Sequence, residues 1–112
     1  MKYLCLIYAD PVIEQMPKAE LTRYLEECAE FTDAIRQNGH YLGGDRLAHG
    51  ATTVRVRQGR VSTTDGPFAE TREQLGGYYL IDAKDLNEAI RVAARIPGAR
   101  KGCVEVRPVA EG

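Results

Sequence analysis

The chain predicts an α+β domain, one sheet with two helices on one of its faces, and three observations carry that prediction. Residues 3–8 and 77–82 are short, dense apolar runs. Leu21, Tyr24, Leu25, Cys28, Phe31 and Ile35 recur at three- and four-residue steps, the spacing of one helix face. The segments follow one another as strand, helix, strand, hairpin, strand, helix, strand. At 112 residues the chain is long enough for one core and one domain. Its 44% hydrophobic and 28% charged residues are those of a globular protein, and a net charge of −1 supplies no basic stripe for direct nucleic-acid binding.

Each element has its own signal. The first apolar run ends at Asp10-Pro11, a breaker that marks a buried strand. Residues 18–38 form the amphipathic helix, stopped by Asn38-Gly39. A short strand is expected around Tyr41-Leu42, followed by a Gly43-Gly44-Asp45 turn. Thr53-Val54-Arg55-Val56-Arg57 alternates strictly, Gln58-Gly59 turns, and residues 60–64 return as the second arm of a hairpin. After a Gly/Pro-punctuated loop, residues 77–82 form a strand. Asp85-Leu86-Asn87-Glu88 reads as a capping box opening a second helix, with Leu86, Ala89, Ile90, Ala93 and Ile96 as its buried face and Pro97-Gly98 as its end. Residues 103–109 are the last strand. The order is the split βαβ plan of ferredoxin-like domains, βαββαβ with an added β-hairpin. Two helices cover only one face of such a sheet, yet residues 3–8 and 78–81 are apolar on both. A second copy of the chain is the simplest cover, giving a homodimer with its sheets face to face.

The loop and its flanks read Thr64-Asp65-Gly66-Pro67-Phe68-Ala69-Glu70-Thr71-Arg72-Glu73-Gln74-Leu75-Gly76-Gly77. Two carboxylates, a hydroxyl and an arginine thus sit between strands, where binding and catalytic groups usually lie. This stretch resembles the signature of the DGPF branch of the YCII-related proteins. The resemblance runs through Gly44-Asp45-Arg46-Leu47, Ala51-Thr52-Thr53-Val54-Arg55-Val56, Ala93-Ala94-Arg95-Ile96-Pro97 and Val104-Glu105-Val106-Arg107-Pro108, nearly the whole chain. It implies a dimeric α/β barrel with pockets between sheet and helices or near the dimer interface, and it implies no cofactor. In better-known YCII-type members a histidine on the first helix and a nearby aspartate form the proposed catalytic pair. Here the corresponding region reads Glu26-Glu27-Cys28, so that pair does not carry over.

Asp65 is the first acid/base candidate. Gly66 and Pro67 fix the turn beside it, and a carboxylate at an apolar barrel mouth tends toward a raised pKa. The competing role is an Asx-type bond within its own turn. Glu70 pairs with Asp65 if the loop curls back, or else bonds to Arg72 or a backbone amide. Val54, Val56, Val104 and Val106 are expected to face the helices, which sends Arg55, Arg57, Glu105 and Arg107 to the other sheet face. Arg55 and Arg107 are then candidates for holding a substrate carboxylate, against salt bridges between subunits as the plainer role. Tyr79 would form part of the pocket wall and Thr71 a further substrate contact; Phe68 is expected to plug the core. The three cysteines lack metal or redox spacing and read as small buried thiols. His40 follows a helix end and His49 lies in a loop; they do not converge with Asp45, so no metal site is expected. The N-terminal apolar run is too short for a signal peptide or a membrane span, which places the chain in the cytoplasm. Two functions fit: a cofactor-independent enzyme doing proton transfer, elimination or isomerisation on a small acidic metabolite, or a non-catalytic ligand- or partner-binding module. For the second, genes of similar proteins accompany or are fused to extracytoplasmic-function-type sigma factors.

Overall fold

A computed structural model describes residues 1–10 and 15–111. Its elements are β1 (Lys2–Ala9), α1 (Lys18–Gln37), β2 (Tyr41–Arg46), β3 (Thr52–Arg57), β4 (Arg60–Asp65), β5 (Gln74–Asp82), α2 (Leu86–Ala93), a 3₁₀ turn (Pro97–Arg100) and β6 (Gly102–Pro108). β2, β5, β1 and β6 lie side by side in that order, every pair antiparallel. This is the ferredoxin-like α+β arrangement that the sequence predicts, and β3 with β4 form the added hairpin as a separate two-stranded sheet. Pro11, part of the expected breaker after β1, lies outside the described residues.

Alternation along β1 builds the core. Tyr3, Cys5 and Ala9 are buried toward the helices, while Leu4, Leu6 and Tyr8 face the other way. Phe31 and Ile35 of α1, Ile81 of β5, and Ala89, Val92 and Ala93 of α2 close over the inner residues. Val104 and Val106 pack against this cluster as expected, and Glu105 and Arg107 project from the opposite face. Leu86 and Ile90 do not belong to the buried face of α2. Both are about half exposed, because the helix ends at Ala93 and presents the small Ala89 and Ala93 to the sheet. Ile96 is buried from the start of the 3₁₀ turn instead.

The expected Gly43-Gly44-Asp45 turn is strand. β2 continues through it to Arg46, after a register irregularity between Tyr41 and Gly43. The reason is close approach: a Cβ at Gly44 would lie 2.7 Å from the Tyr78 carbonyl oxygen and 2.9 Å from Tyr79 Cδ1. The glycines there let a strand pass tightly against β5, which itself begins at Gln74, within the expected loop.

The hairpin is an arm. Gln58 and Gly59 turn it with φ of 52° and 73°, the two left-handed positions of a type I′ turn. The Gly66 amide donates to the Ala51 carbonyl at 2.7 Å and the Thr53 hydroxyl to the Gly66 carbonyl at 2.8 Å, closing its base. Val54, Val56 and Val61 are each more than half exposed, so Val54 and Val56 do not face the helices. They alternate on a hairpin outside the main sheet, where period-2 patterning alone does not say which surface a strand meets. The radius of gyration, 15.8 Å, exceeds the roughly 13 Å of a compact chain this long.

Candidate functional site

The polar groups that the fold brings together lie in a seam between α1 and the sheet. From α1 come Tyr24, Cys28 and Thr32, one turn apart on one face; from β5 comes Tyr79. All four are half-buried, reachable from solvent yet largely dehydrated. The Thr32 hydroxyl donates to the Cys28 carbonyl at 2.9 Å, so its oxygen accepts the Tyr79 hydroxyl at 2.8 Å. The Tyr24 phenol and the Cys28 thiol are close enough to affect one another's protonation. Phe31 and Tyr41 set the Tyr79 ring by edge contacts, at centroid distances of 5.3 and 6.4 Å.

Burial governs the protonation of these groups. It pushes the Tyr24 phenol up to about 12, helped by Cys28 and opposed by Arg100. Burial likewise raises the Cys28 thiol, against the pull of Tyr24, Arg46 and Arg100. The Tyr79 phenol is raised by burial, against the Thr32 bond. At neutral pH the seam therefore holds two neutral phenols, a neutral thiol and an alcohol: hydrogen-bonding groups, and no base. Beside Tyr24 opens a groove of about 190 Å³, lined also by Arg23, Glu27, Arg100 and Lys101. Its charges are partly paired, Arg100 with Glu27 and Lys101 with Glu20.

The residues predicted from sequence scatter more widely. Tyr79 is in the seam. Asp65 ends β4 at the arm's base and Glu70 lies in the following loop; both are exposed, and no hydrogen bond joins them. Arg72 bonds Asp10 at 3.2 Å rather than Glu70, tying the loop to the end of β1. The Thr71 hydroxyl donates to the Glu73 carbonyl. Arg55 is on the arm, its guanidinium 6.0 Å from the Phe68 ring centre, whereas Arg107 is on the open face of β6. Phe68 does not plug the core: it is 83% exposed, carried outward with the arm. Of the cysteines Cys5 is buried, Cys28 half-buried and Cys103 exposed, since Cys103 alternates onto the open sheet face. His40 Nδ1 is 2.9 Å from the Asp82 carbonyl and 3.7 Å from Glu88, at the opposite end of β5 from the loop. Among the described residues no three His, Cys, Asp or Glu side chains group as metal ligands.

Tyr24, Cys28 and Thr32 are the residues that sequence reasoning missed. Tyr24 and Cys28 sit within the apolar stripe of α1, which hides them in the sequence. The available signal was the exact four-residue repeat of three hydrogen-bonding side chains along it.

A two-layer antiparallel domain with a polar seam under its first helix defines the class. Residues 1–111 match the YCII-related domain, and the chain belongs to that family. Over 62 residues it is 48% identical to an uncharacterized protein, R00369, of Rhizobium meliloti (strain 1021); the match covers 54% of this chain and about half the length of that relative. The fold is shared with 5-chloro-2-hydroxyhydroquinone dehydrochlorinase from Burkholderia phenoliruptrix AC1100, solved in complex with 2,5-dihydroxybenzoquinone. That likeness has a TM-score of 0.56 at 12% identity and covers 100% of this chain and 96% of the other. No helix among the described residues is long and apolar enough to cross a membrane.

Proposed function

We propose that the protein is a cofactor-independent enzyme that carries out proton transfer, elimination or isomerisation on a small acidic metabolite bound at the α1–sheet seam. One observation carries this reading: the dehydrated cluster of Tyr24, Cys28, Thr32 and Tyr79, open to solvent beside a groove. The dehydrochlorinase that shares the fold supports an elimination by analogy of architecture. Because burial keeps the seam groups neutral, this reading gives the acid/base role to a carboxylate, Asp65, with Glu70 as its partner. Both lie on the arm side, so in this reading they reach the site through docking of the arm, with Thr71 and Arg55 as further substrate contacts; Arg107, on the opposite sheet face, is assigned to the face where the two sheets meet. A cytoplasmic homodimer with its sheets face to face is part of this reading.

The experiment is thermal denaturation of wild type and Asp65→Asn against small carboxylates, lactones, enols and 2,5-dihydroxybenzoquinone. A ligand at about 100 times its dissociation constant adds roughly 2.7 kcal/mol, a visible shift for a small domain. Asp65→Asn, an exposed substitution, should fold within about 0.5 kcal/mol of wild type and abolish turnover of any ligand found. Turnover unchanged in Asp65→Asn removes Asp65 from the mechanism. The neutral seam favours a second reading, a non-catalytic ligand- or partner-binding accessory module, including a role beside sigma factors. Stabilisation by a ligand that wild type leaves chemically unchanged decides for it.

A further inference from the structure

We infer that the seam takes a small anion that also carries a hydroxyl group, with Arg46 holding the charged oxygen and Tyr79 accepting the hydroxyl's hydrogen bond. This rests on the seam being the ligand site.

Strand geometry places Arg46. It lies directly opposite Gly77 on β5, and Gly44 lies opposite Tyr79. Residues opposite one another, and residues two apart, share a face, so Arg46, Gly77 and Tyr79 all project to the helix side. Its backbone is fixed by the Leu47 amide, which donates to the Gly76 carbonyl at 2.9 Å. Unlike Arg36, Arg72 and Arg100, Arg46 makes no ion pair among the described residues. Its charge is felt at the Cys28 thiol, where it opposes the effect of burial.

Buried glycines draw the backbone close beside it. Gly77 supplies backbone without a side chain; a Cβ there would meet the Asp45 carbonyl at 3.1 Å and Ile7 Cδ1 at 3.7 Å. At Gly98 a Cβ would meet Ile7 Cγ2 at 2.6 Å and Tyr24 Oη at 3.3 Å, so only glycine lets Tyr24 and Ile7 draw in. An exposed guanidinium, its donors in a planar fork, thus projects from the edge strand on the helix side, a match for a carboxylate, phenolate or enolate. The hydroxyl chain adds direction. Thr32 donates to the Cys28 carbonyl and accepts from Tyr79, so the Tyr79 oxygen has spent its hydrogen and offers only lone pairs. A ligand hydroxyl satisfies them; an ether or a bare carbonyl does not.

Isothermal titration with 3-hydroxybenzoate, benzoate and phenol separates the two contacts. Wild type should bind 3-hydroxybenzoate tightest. Arg46→Gln should weaken both carboxylates by about tenfold or more and leave phenol unchanged. Tyr79→Phe should bring 3-hydroxybenzoate down to benzoate. Cys28→Phe, which fills the seam, should abolish all binding, and shifts of the wild-type Tyr24 and Tyr79 ring resonances locate the probe should that variant not fold. Binding lost in Cys28→Phe but intact in Arg46→Gln overturns the anion assignment and leaves the seam standing. Binding that survives Cys28→Phe, or that leaves both ring resonances unmoved, defeats the seam and the inference together. Absence of binding by any probe at millimolar concentration overturns the inference.

Discussion

Tyr24 and Cys5 give single residues a measurable voice. Burial raises the Cys5 thiol from 9.0 to about 11 and the Tyr24 phenol from 10.0 to about 12. The unfolded chain therefore loses these protons first, and ionisation favours unfolding as pH climbs. Their contribution is whole below about pH 9 and disappears between there and pH 12. Urea denaturation from pH 8 to 11.5 should show falling stability across that window, with no such slope on its neutral side. Cys5→Ala should be less stable at every pH, with a flatter decline between 9 and 11. Residue chemistry is legible where it is local: Tyr79, a candidate wall residue by sequence, lies half-buried beside Thr32. Cys28 and Thr32 were not named, because a helix stripe tells which residues face inward and not which of them stop short of full burial. Phe68 shows the opposite error, since an aromatic side chain normally reports core and here rides on a solvent-exposed arm.

Among the elements, caps and glycines carry the sharpest expectations. The N-cap half of the expected capping box at α2 is formed, since Asp85 accepts from the Glu88 amide at 2.8 Å, while Glu88 reaches one residue further back, to the Lys84 amide at 3.2 Å. Asp85→Ala should cost about 1 kcal/mol, read from the urea midpoint, with no change at the seam. Gly44→Ala should cost more, on the order of 1–3 kcal/mol, because its Cβ would collide with β5 backbone and with the Tyr79 ring. Near-ultraviolet circular dichroism should register that ring's displacement, and a wild-type spectrum would refute the close-approach account. Element type was legible wherever periodicity ran long enough, as in α1, β1 and β5. β2 was half missed because Gly43-Gly44-Asp45 has the composition of a turn, and only the neighbouring strand reveals why glycines are needed there. The early end of α2 was hidden by Ile96, whose apolar character continued the helical spacing into a 3₁₀ turn.

At the scale of the molecule, the exposed apolar surface is the feature to be explained. Leu4, Leu6, Tyr8 and Leu80 line, half-buried, the sheet face turned away from the helices, with no described helix over them, and Val54, Val56, Val61 and Phe68 are exposed on the arm. Apolar surface left uncovered in this way is typical of an interface in soluble proteins. Light scattering at micromolar concentration should give twice the mass of the 12.4 kDa chain. Leu80→Lys should give the single mass with the core intact, since Leu80 points away from the helices. A wild-type monomer would return the open face to solvent and remove the docked arm from the proposed mechanism. The ferredoxin-like plan could be read from element order alone, and so could the unpaired face. Where the arm points could not, because a hairpin's alternation is the same whether it joins the sheet or leaves it.

The closed base of that arm has a consequence for change over generations. Ala51 and Gly66 meet through one hydrogen bond, and the flanking segments lead to β2 and β5, which are neighbours in the sheet. The hairpin is thus an appendix on a loop between adjacent strands. It can lengthen, shorten or be lost without disturbing a single rung of the four-stranded ladder. Surface carried on the appendix and surface under α1 are free to vary separately in lineages of one scaffold.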